Sequence, residues 1–179
     1  MKKVLIAGLA ALLAGCGKPA APPKTEDATT ELKHLMDKVT AGWVTLDPSK
    51  VAQYYAKEAG MAFYGITPLK YADWYEYERG AKRTFSMWKS IKLTINPDFQ
   101  GYKNGNIAWA TFTSSFEITP EKGAVMKGVT RNSNVFEKRG EEWIIVHEHG
   151  SVPMLDAPAP SPKAKAAPTQ AKGKKKKKR

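Results

Sequence analysis

The amino-acid sequence predicts an α+β fold in which three N-terminal helices pack on a curved, mainly antiparallel sheet. Apolar residues recur at the helical period in three segments before residue 90, and after it they alternate at the period of a strand. Gly, Pro and Asn cluster between the alternating segments, as in turns that join antiparallel strands. With 179 residues and no internal repeat, the chain is long enough for one domain with a hydrophobic core.

The three helices are predicted by different signals. The first has an apolar face at helical spacing, formed by Leu32, Leu35, Met36, Val39 and Trp43. The second begins where Asp47 caps a helix whose first residue is Pro48, and it continues through Val51, Tyr54 and Tyr55. The third is capped by Asp73, and its apolar face consists of Trp74, Tyr77, Ala81, Phe85 and Trp88.

The strands are predicted by alternation and by turn residues. Ile91, Leu93 and Ile95 alternate with polar residues, and the "NG" at Asn104 and Gly105 predicts a hairpin. We expect long strands over residues 107–118 and 125–138 and a last strand over 143–149. On the last strand, regular alternation places Trp143, Ile145, His147, His149 and Ser151 on one face and Ile144, Val146, Glu148 and Gly150 on the other.

The N-terminus has the layout of a secretory signal peptide. Two lysines precede an apolar run that is too short to span a bilayer, and small residues lead to Cys16. The tetrad "LAGC" that ends at Cys16 resembles the lipobox of bacterial lipoproteins. This resemblance implies that residues 1–15 are removed, that Cys16 is lipidated, and that, with Gly17 rather than aspartate next to it, the protein is anchored to the outer membrane and faces the periplasm. Since Cys16 is the only cysteine, no disulfide forms within the chain.

The two ends of the mature chain are of low complexity. We expect residues 16–27 to form a flexible tether, because they are rich in Pro, Ala and Thr. Residues 156–179 hold nine Lys and Arg residues against the single Asp156, so they carry +8 of the formal charge of +12. We expect this basic tail to be disordered and to contact anionic lipid, lipopolysaccharide or cell wall, or else to be a solvated end without a fixed partner. Nucleic acid is not an expected partner, since no aromatic residue lies between the lysines.

The segment "RNSNVFEKRGEEWIIVHEHGSVP" carries a more specific resemblance. It is similar to the closing hairpin of the nuclear-transport-factor-two-like superfamily, in its SnoaL-like branch, which also includes ketosteroid-isomerase-like proteins and the association domain of calcium/calmodulin-dependent protein kinase. The shared positions are Arg131, Ser133, Val135, Gly140, Trp143, Val146, His147, His149, Ser151 and Pro153. Extended to residues 28–155, the resemblance implies a cone-shaped fold, in which a bent sheet wraps round the long helix and encloses a pocket, and a homodimer formed through the sheet face.

His147, His149 and Arg131 are the candidate functional residues of this hairpin. Two neighbouring imidazoles can act as acid and base near neutral pH, and an arginine complements a carboxylate or phosphate. The apolar lining of a small-molecule pocket would come from Tyr54, Tyr55, Trp74 and Tyr77. The alternative is a framework role, in which the histidines bond to neighbouring groups and Arg131 pairs with Glu148 or another acid.

Other chemistries have less support. Two histidines are too few for a usual metal site, and the sequence has no phosphate-binding glycine loop or dinucleotide signature, so we expect neither a metal nor a cofactor. The proton-shuttling enzymes of the superfamily use a pocket carboxylate, and no strand aspartate is evident here. We therefore expect a domain that binds a small organic molecule without turnover, with anionic molecules among the candidates. An isomerase, cyclase or hydrolase using His147 and His149 is the second hypothesis, and an assembly domain with a closed pocket is the third.

Overall fold

The computed structural model of the protein describes residues 25–66 and 68–153. The predicted signal peptide, Cys16 with most of the tether, and the basic tail lie outside these residues. The elements are α1 (Thr25–Trp43), β1 (Phe63–Tyr64), α2 (Trp74–Phe85), β2 (Trp88–Ile95), β3 (Gln100–Asn104), β4 (Ile107–Pro120), β5 (Met126–Arg139) and β6 (Glu142–Ser151). This architecture confirms the α+β class with a mainly antiparallel sheet. The first helix, α1, begins at Thr25, inside the segment 16–27 that was predicted to be a flexible tether.

The second predicted helix is replaced by two 3-10 turns, Pro48–Lys50 and Ala52–Tyr54. Its predicted start is confirmed, because the Asp47 side chain accepts a hydrogen bond from the backbone N–H two residues further on at 3.0 Å. The helix does not continue because Tyr55 adopts an extended conformation and forms a bridge with Ile145 of β6. Pairing with the sheet thus ends the helical segment, and the short second helix that the sequence predicts is present only as these two 3-10 turns.

The first helix, α1, packs against β3 and also contacts β2 and β4. Leu32, Met36 and Val39 of its predicted apolar face are buried. The helix crosses β3 at Gly101, where a Cβ atom would lie 2.8 Å from backbone atoms of the helix. Backbone atoms cannot move aside as a flexible side chain would, so this crossing requires glycine.

The second helix, α2, begins as predicted. The Asp73 side chain accepts a hydrogen bond from the backbone N–H of Glu76 at 2.7 Å, which is an N-cap. Trp74 and Ala81 of its predicted apolar face are buried. Trp88, which was assigned to the same face, lies in β2 instead, because the helix ends at Phe85.

The sheet has the strand order β1-β6-β5-β4-β2, and β3 also pairs with β4. β1 runs parallel to β6, whereas the other pairs are antiparallel. The predicted "NG" hairpin is confirmed, although Asn104 still pairs with Ile107 and the turn itself is formed by Gly105 and Asn106. Gly105 has a φ of 61°, the left-handed conformation that a two-residue hairpin needs at this position.

A β-bulge interrupts the regular alternation of β6. Val135 of β5 pairs with His147, but its neighbour Phe136 pairs with Ile145. Val146 is therefore an extra residue with no partner of its own on β5. Such a bulge bends the strand and changes the face on which the following side chains lie.

The bulge decides which polar residues of β6 face the interior. Before it, Trp143 and Ile145 are buried on the inner face. Beyond it, Glu148 and Gly150 lie on that face. The prediction that both histidines share a face with Trp143 and Ile145 is therefore wrong, because alternation holds only on each side of the bulge.

Candidate functional site

The inner face of the sheet and the helices line a partly open cavity of about 440 Å³. Its aromatic lining includes Trp43, Tyr71, Tyr77, Phe85, Phe112 and Phe116. Aliphatic side chains of β2 and β4 add Ile91, Leu93 and Ile118. The polar side chains of the sheet that reach the cavity are Ser114, Thr130, Asn132, Asn134 and Glu148. A mainly apolar cavity with a few convergent polar groups is typical of small-molecule sites.

Glu148 is the centre of the polar end of the cavity. Its Oε1 accepts a hydrogen bond from the Tyr77 hydroxyl at 2.6 Å. Its Oε2 accepts hydrogen bonds from the Tyr55 hydroxyl at 2.7 Å and from Asn134 Nδ2 at 3.1 Å. The Tyr55 hydroxyl in turn accepts a hydrogen bond from Trp43 Nε1 at 3.1 Å. Groups from α1, α2, β5 and the segment before β1 thus hold one carboxylate in the cavity wall.

The two tyrosines are held as hydrogen-bond donors. Burial raises the pKa of Tyr55 and of Tyr77 well above the ordinary value of a phenol, and the neighbouring Glu148 carboxylate raises both further. Both hydroxyls therefore keep their protons at neutral pH. They donate to Glu148 and do not act as bases.

Asn134 has a buried oxygen that no group satisfies. The residue is 1% exposed, its Nδ2 donates to Glu148, and its Oδ1 has no hydrogen-bond partner. Rotating the amide would place Oδ1 against the carboxylate, so the observed orientation is the favourable one. Asn132, two residues before it, uses its Nδ2 to donate to the hydroxyls of Ser114 at 3.2 Å and Thr130 at 3.1 Å. Glu148 is therefore the accessible acceptor of the polar end, and Asn134 Oδ1 is a buried acceptor close to it.

The structure brings two of the four predicted aromatic residues to the site. Tyr77 lies in the cavity wall, and Tyr55 reaches the site through its hydrogen bond to Glu148. Trp74 is buried outside the wall, where its ring stacks on that of Tyr55 at 4.6 Å between centroids. Tyr54 is half-buried and packs against the core away from the cavity lining.

His147, His149 and Arg131 lie on the outer face of the sheet. His147 Nδ1 is 2.7 Å from the carbonyl oxygen of Ala62, and both imidazole rings contact the ring of Tyr64. Arg131 is exposed, and its Nη2 donates to the carbonyl oxygen of the residue after β6 at 3.3 Å. These three residues thus lie on the face of the sheet opposite the Glu148 side chain.

Glu148 and Asn134 are the site residues that the sequence did not reveal. Regular alternation assigns Glu148 to the face opposite Trp143, and only the bulge at Val146 returns it to the interior. One signal for the bulge exists in the sequence: residues 143–146 are four consecutive apolar residues, which a strand with one polar face does not need. Asn134 has no comparable signal, because an asparagine on a strand is more often exposed.

Two further observations concern the part of the chain that the structure describes. Residues 25–66 and 68–153 contain no cluster of three or more His, Cys, Asp or Glu side chains that could hold a metal ion. None of the helices in these ranges combines the length and the apolar character needed to cross a membrane.

The fold of the chain is shared with several solved structures. A nuclear transport factor 2-like superfamily protein from Salmonella enterica is 21% identical, with a TM-score of 0.66 over 75% of this chain and 97% of that chain. A proposed dehydratase of the NTF2-like family from Streptomyces avermitilis is 13% identical, with a TM-score of 0.64 over 73% and 99%. The association domain of CaMKII from C. elegans is 12% identical, with a TM-score of 0.57 over 72% and 98%. Identities this low show a common fold.

The sequence itself identifies the family. The curated proteins include no significant match to this chain. The family model for the SnoaL-like domain, however, matches residues 32–155, which are more than half of the chain and contain the cavity. This match agrees with the predicted resemblance and with the observed sheet. The chain therefore belongs to the SnoaL-like domain family.

Proposed function

We propose that the SnoaL-like domain binds one small organic molecule in its cavity and does not transform it. The cavity of about 440 Å³ is the observation that carries the proposal, because its volume and mixed lining are those of small-molecule sites. The apolar walls suit an apolar body, and the cluster around Glu148 suits one polar end of the ligand.

The polar end favours binding over turnover because its groups are already engaged. Glu148 accepts hydrogen bonds from Tyr55, Tyr77 and Asn134, so a single acceptor position of about four on a carboxylate is left for a ligand. The raised pKa of both phenols removes them as bases. Such a network orients a ligand and has little capacity to move a proton.

The charge of the cavity argues against an anionic ligand. Among the described residues that line it there is no Lys, Arg or His, and Glu148 is the charged one. The predicted role of Arg131 was the reason to consider an anion, and Arg131 is exposed on the other face. The ligand we propose is therefore neutral or cationic.

A proton-transfer enzyme of isomerase, cyclase or hydrolase type is the second candidate, and Glu148 is the observation that favours it. A pocket carboxylate is the group that proton-shuttling members of the superfamily use, and a structural relative is a proposed dehydratase. Glu148 would act as the base, since His147 and His149 face away from the cavity. Turnover would then be lost in Glu148→Gln and retained in His147→Ala and His149→Ala.

We propose that the protein acts at the outer membrane, anchored through lipidated Cys16 with the domain in the periplasm. Replacement of the lipidated residue, Cys16→Ser, should move the protein from the membrane fraction to the soluble fraction, and an unchanged membrane fraction would contradict the anchor.

The basic tail would bind anionic lipid or the cell envelope. Deletion of residues 163–179 should abolish retention on anionic liposomes in low salt, because a cationic run binds by releasing counterions.

We also propose a homodimer formed through the outer face of the sheet. Apolar side chains are exposed there, and Trp109, which is 38% exposed, stacks on Tyr102 at 5.3 Å between centroids. Light scattering should give the mass of a dimer for the wild type and of a monomer for Trp109→Glu. A dimer without a ligand, the third hypothesis, requires a closed pocket, and the cavity makes it the weaker alternative.

The test of the binding function is ligand retention by a cavity-filling variant. At Gly150, which lines the cavity, a Cβ atom would have no heavy atom closer than 3.7 Å, so we expect Gly150→Val to fit and to reduce the cavity volume. The control is Ser133→Val, on the outer face of the neighbouring strand. Native mass spectrometry of the mature protein, released in mild detergent from its host, should show a discrete adduct on the wild type and on Ser133→Val and none on Gly150→Val.

Two results would contradict the binding function. The first is an adduct that Gly150→Val retains at the wild-type level. The second is a wild-type protein that stays free of any adduct after incubation with a metabolite extract.

A further inference from the structure

We infer, on the basis of the proposed function, that the ligand of the cavity carries a protonated amine at one end of an apolar body. Three features of the polar end lead to this chemical class. They are a carboxylate without a cationic partner, a buried acceptor without a donor, and aromatic rings in the lining of the same cavity.

The Glu148 carboxylate has no cation beside it. The ion pairs among the described residues all involve other acidic residues. The described lining of the cavity adds no Lys, Arg or His. Only neutral groups, two phenols and one amide, hold the carboxylate. Glu148 is half-buried, so its carboxylate has lost part of its hydration, and a ligand cation would stabilise the charge.

The free oxygen of Asn134 selects for a donor. Its amide is fixed by the bond from Nδ2 to Glu148, which leaves Oδ1 buried beside the carboxylate and without a partner. An ammonium group has three N–H donors and no acceptor, so one group bound at Glu148 can also bond to Asn134 once a small shift of the amide exposes the buried Oδ1 to the cavity. A hydroxyl has one donor, and a carboxylate has none and would be repelled.

The surrounding rings suit a cation next to an apolar chain. Trp43 lies against Tyr77 and Phe85, with ring centroids 5.5 Å and 5.8 Å apart, and all three line the cavity. Aromatic faces attract ammonium groups through the ring quadrupole. Leu93 and Phe116 continue the lining without charge. The cavity thus combines an end that accepts a cation with an end that accepts hydrocarbon.

The experiment compares probes that share one body and differ in their head group. Isothermal titration of the mature protein would use phenylbutylamine, phenylbutanol, phenylbutanoate and butylbenzene. We expect the amine to bind about ten-fold more tightly than the alcohol, because its hydrogen bonds are charge-assisted, and the carboxylate to show no binding. In Glu148→Gln the amine should lose this advantage while the affinity for the alcohol is kept, which also reports that the cavity is intact.

The trimethylammonium derivative of the amine separates charge from hydrogen bonding. It keeps the positive charge but has no N–H to donate to Glu148 or to Asn134 Oδ1, so it should bind more weakly than the primary amine. Equal affinity of the two would overturn the role of Asn134.

The outcomes distinguish this inference from the proposed function. Equal affinities of amine and alcohol, or tighter binding of the carboxylate, would overturn the amine and leave a cavity that binds apolar molecules. Failure of all four probes, butylbenzene included, would contradict the binding function itself. The probe series on the wild-type protein gives these results even where Glu148→Gln does not fold.

Discussion

His147 and Glu148 are neighbours on β6, yet their side chains lie in different environments. On the outer face, His147 Nδ1 contacts the carbonyl oxygen of Ala62. On the inner face, Glu148 accepts hydrogen bonds from Tyr55, Tyr77 and Asn134, which belong to three different parts of the chain. A reactive residue type alone therefore does not identify the candidate site in this fold. The candidate site lies where several elements converge on one side chain.

Removal of the Glu148 carboxylate should lower the stability of the protein more than any other change considered for the two faces of β6. Glu148→Ala leaves two phenols and one amide without their acceptor, and each unsatisfied group costs about 1–3 kcal/mol before water enters. We expect the free energy of unfolding to fall by about 3 kcal/mol. Urea denaturation measures this loss. The control is Glu142→Ala, which replaces an exposed glutamate on the outer face of the same strand and should lower the free energy of unfolding by less than about 0.5 kcal/mol. Similar losses of unfolding free energy in both variants would contradict a stabilising role of the inner network around Glu148.

Alkaline pH should weaken the same inner cluster. The pKa of Tyr55 and of Tyr77 is raised in the folded protein, so the unfolded chain loses these protons first. Their contribution to stability is complete below about pH 10, the ordinary phenol pKa, and declines above it by about 1.4 kcal/mol per pH unit for each phenol. The double variant Tyr55→Phe/Tyr77→Phe should show a shallower decline in urea denaturation between about pH 9 and pH 11. Tyr75→Phe, an exposed position on α2, should keep the wild-type slope.

Much of the fold could be predicted because its signals are local. The apolar face of α1, the Asp73 cap and the turn at Gly105 each depend on residues close together in the sequence. The second predicted helix does not form as a continuous α-helix, because a contact distant in sequence, the bridge between Tyr55 and Ile145, competes with the helical turn. A sequence pattern does not contain the free energy of such a contact.

The site was harder to predict than the fold because it depends on pairing between strands. The sequence suggested Tyr55 and Tyr77 as apolar pocket lining, and the structure places both hydroxyls on Glu148. It could not place Glu148, since the bulge at Val146 is defined by which residues of β5 lie opposite β6. One unpaired residue reverses the faces on which the following side chains of a strand lie. For this reason both histidines lie on the outer face and Glu148 lies on the inner face.

Two adjacent tyrosines sharpen the comparison further. The sequence treats Tyr54 and Tyr55 alike as pocket residues, but the Tyr55 hydroxyl donates to Glu148 and accepts from Trp43. Tyr55→Phe should therefore lower the free energy of unfolding by about 1.5 kcal/mol. Tyr54→Phe should change it by less than about 0.5 kcal/mol, because among the described residues no hydrogen bond involves that hydroxyl. Equal effects in urea denaturation would mean that the inner network does not stabilise the fold.

The smallest effects should come from the outer face. His147→Ala removes the contact with the Ala62 carbonyl oxygen and should cost about 1 kcal/mol of unfolding free energy, whereas His149→Ala, at an exposed position, should cost less than about 0.5 kcal/mol. Neither variant should change the affinity of a cavity ligand by more than about two-fold, because both rings lie across the sheet from Glu148. Titration of each variant with the ligand measures this directly. A large loss of affinity in either variant would mean that the histidines contribute to ligand binding. A side chain that only stabilises the outer face should not affect what binds on the inner face.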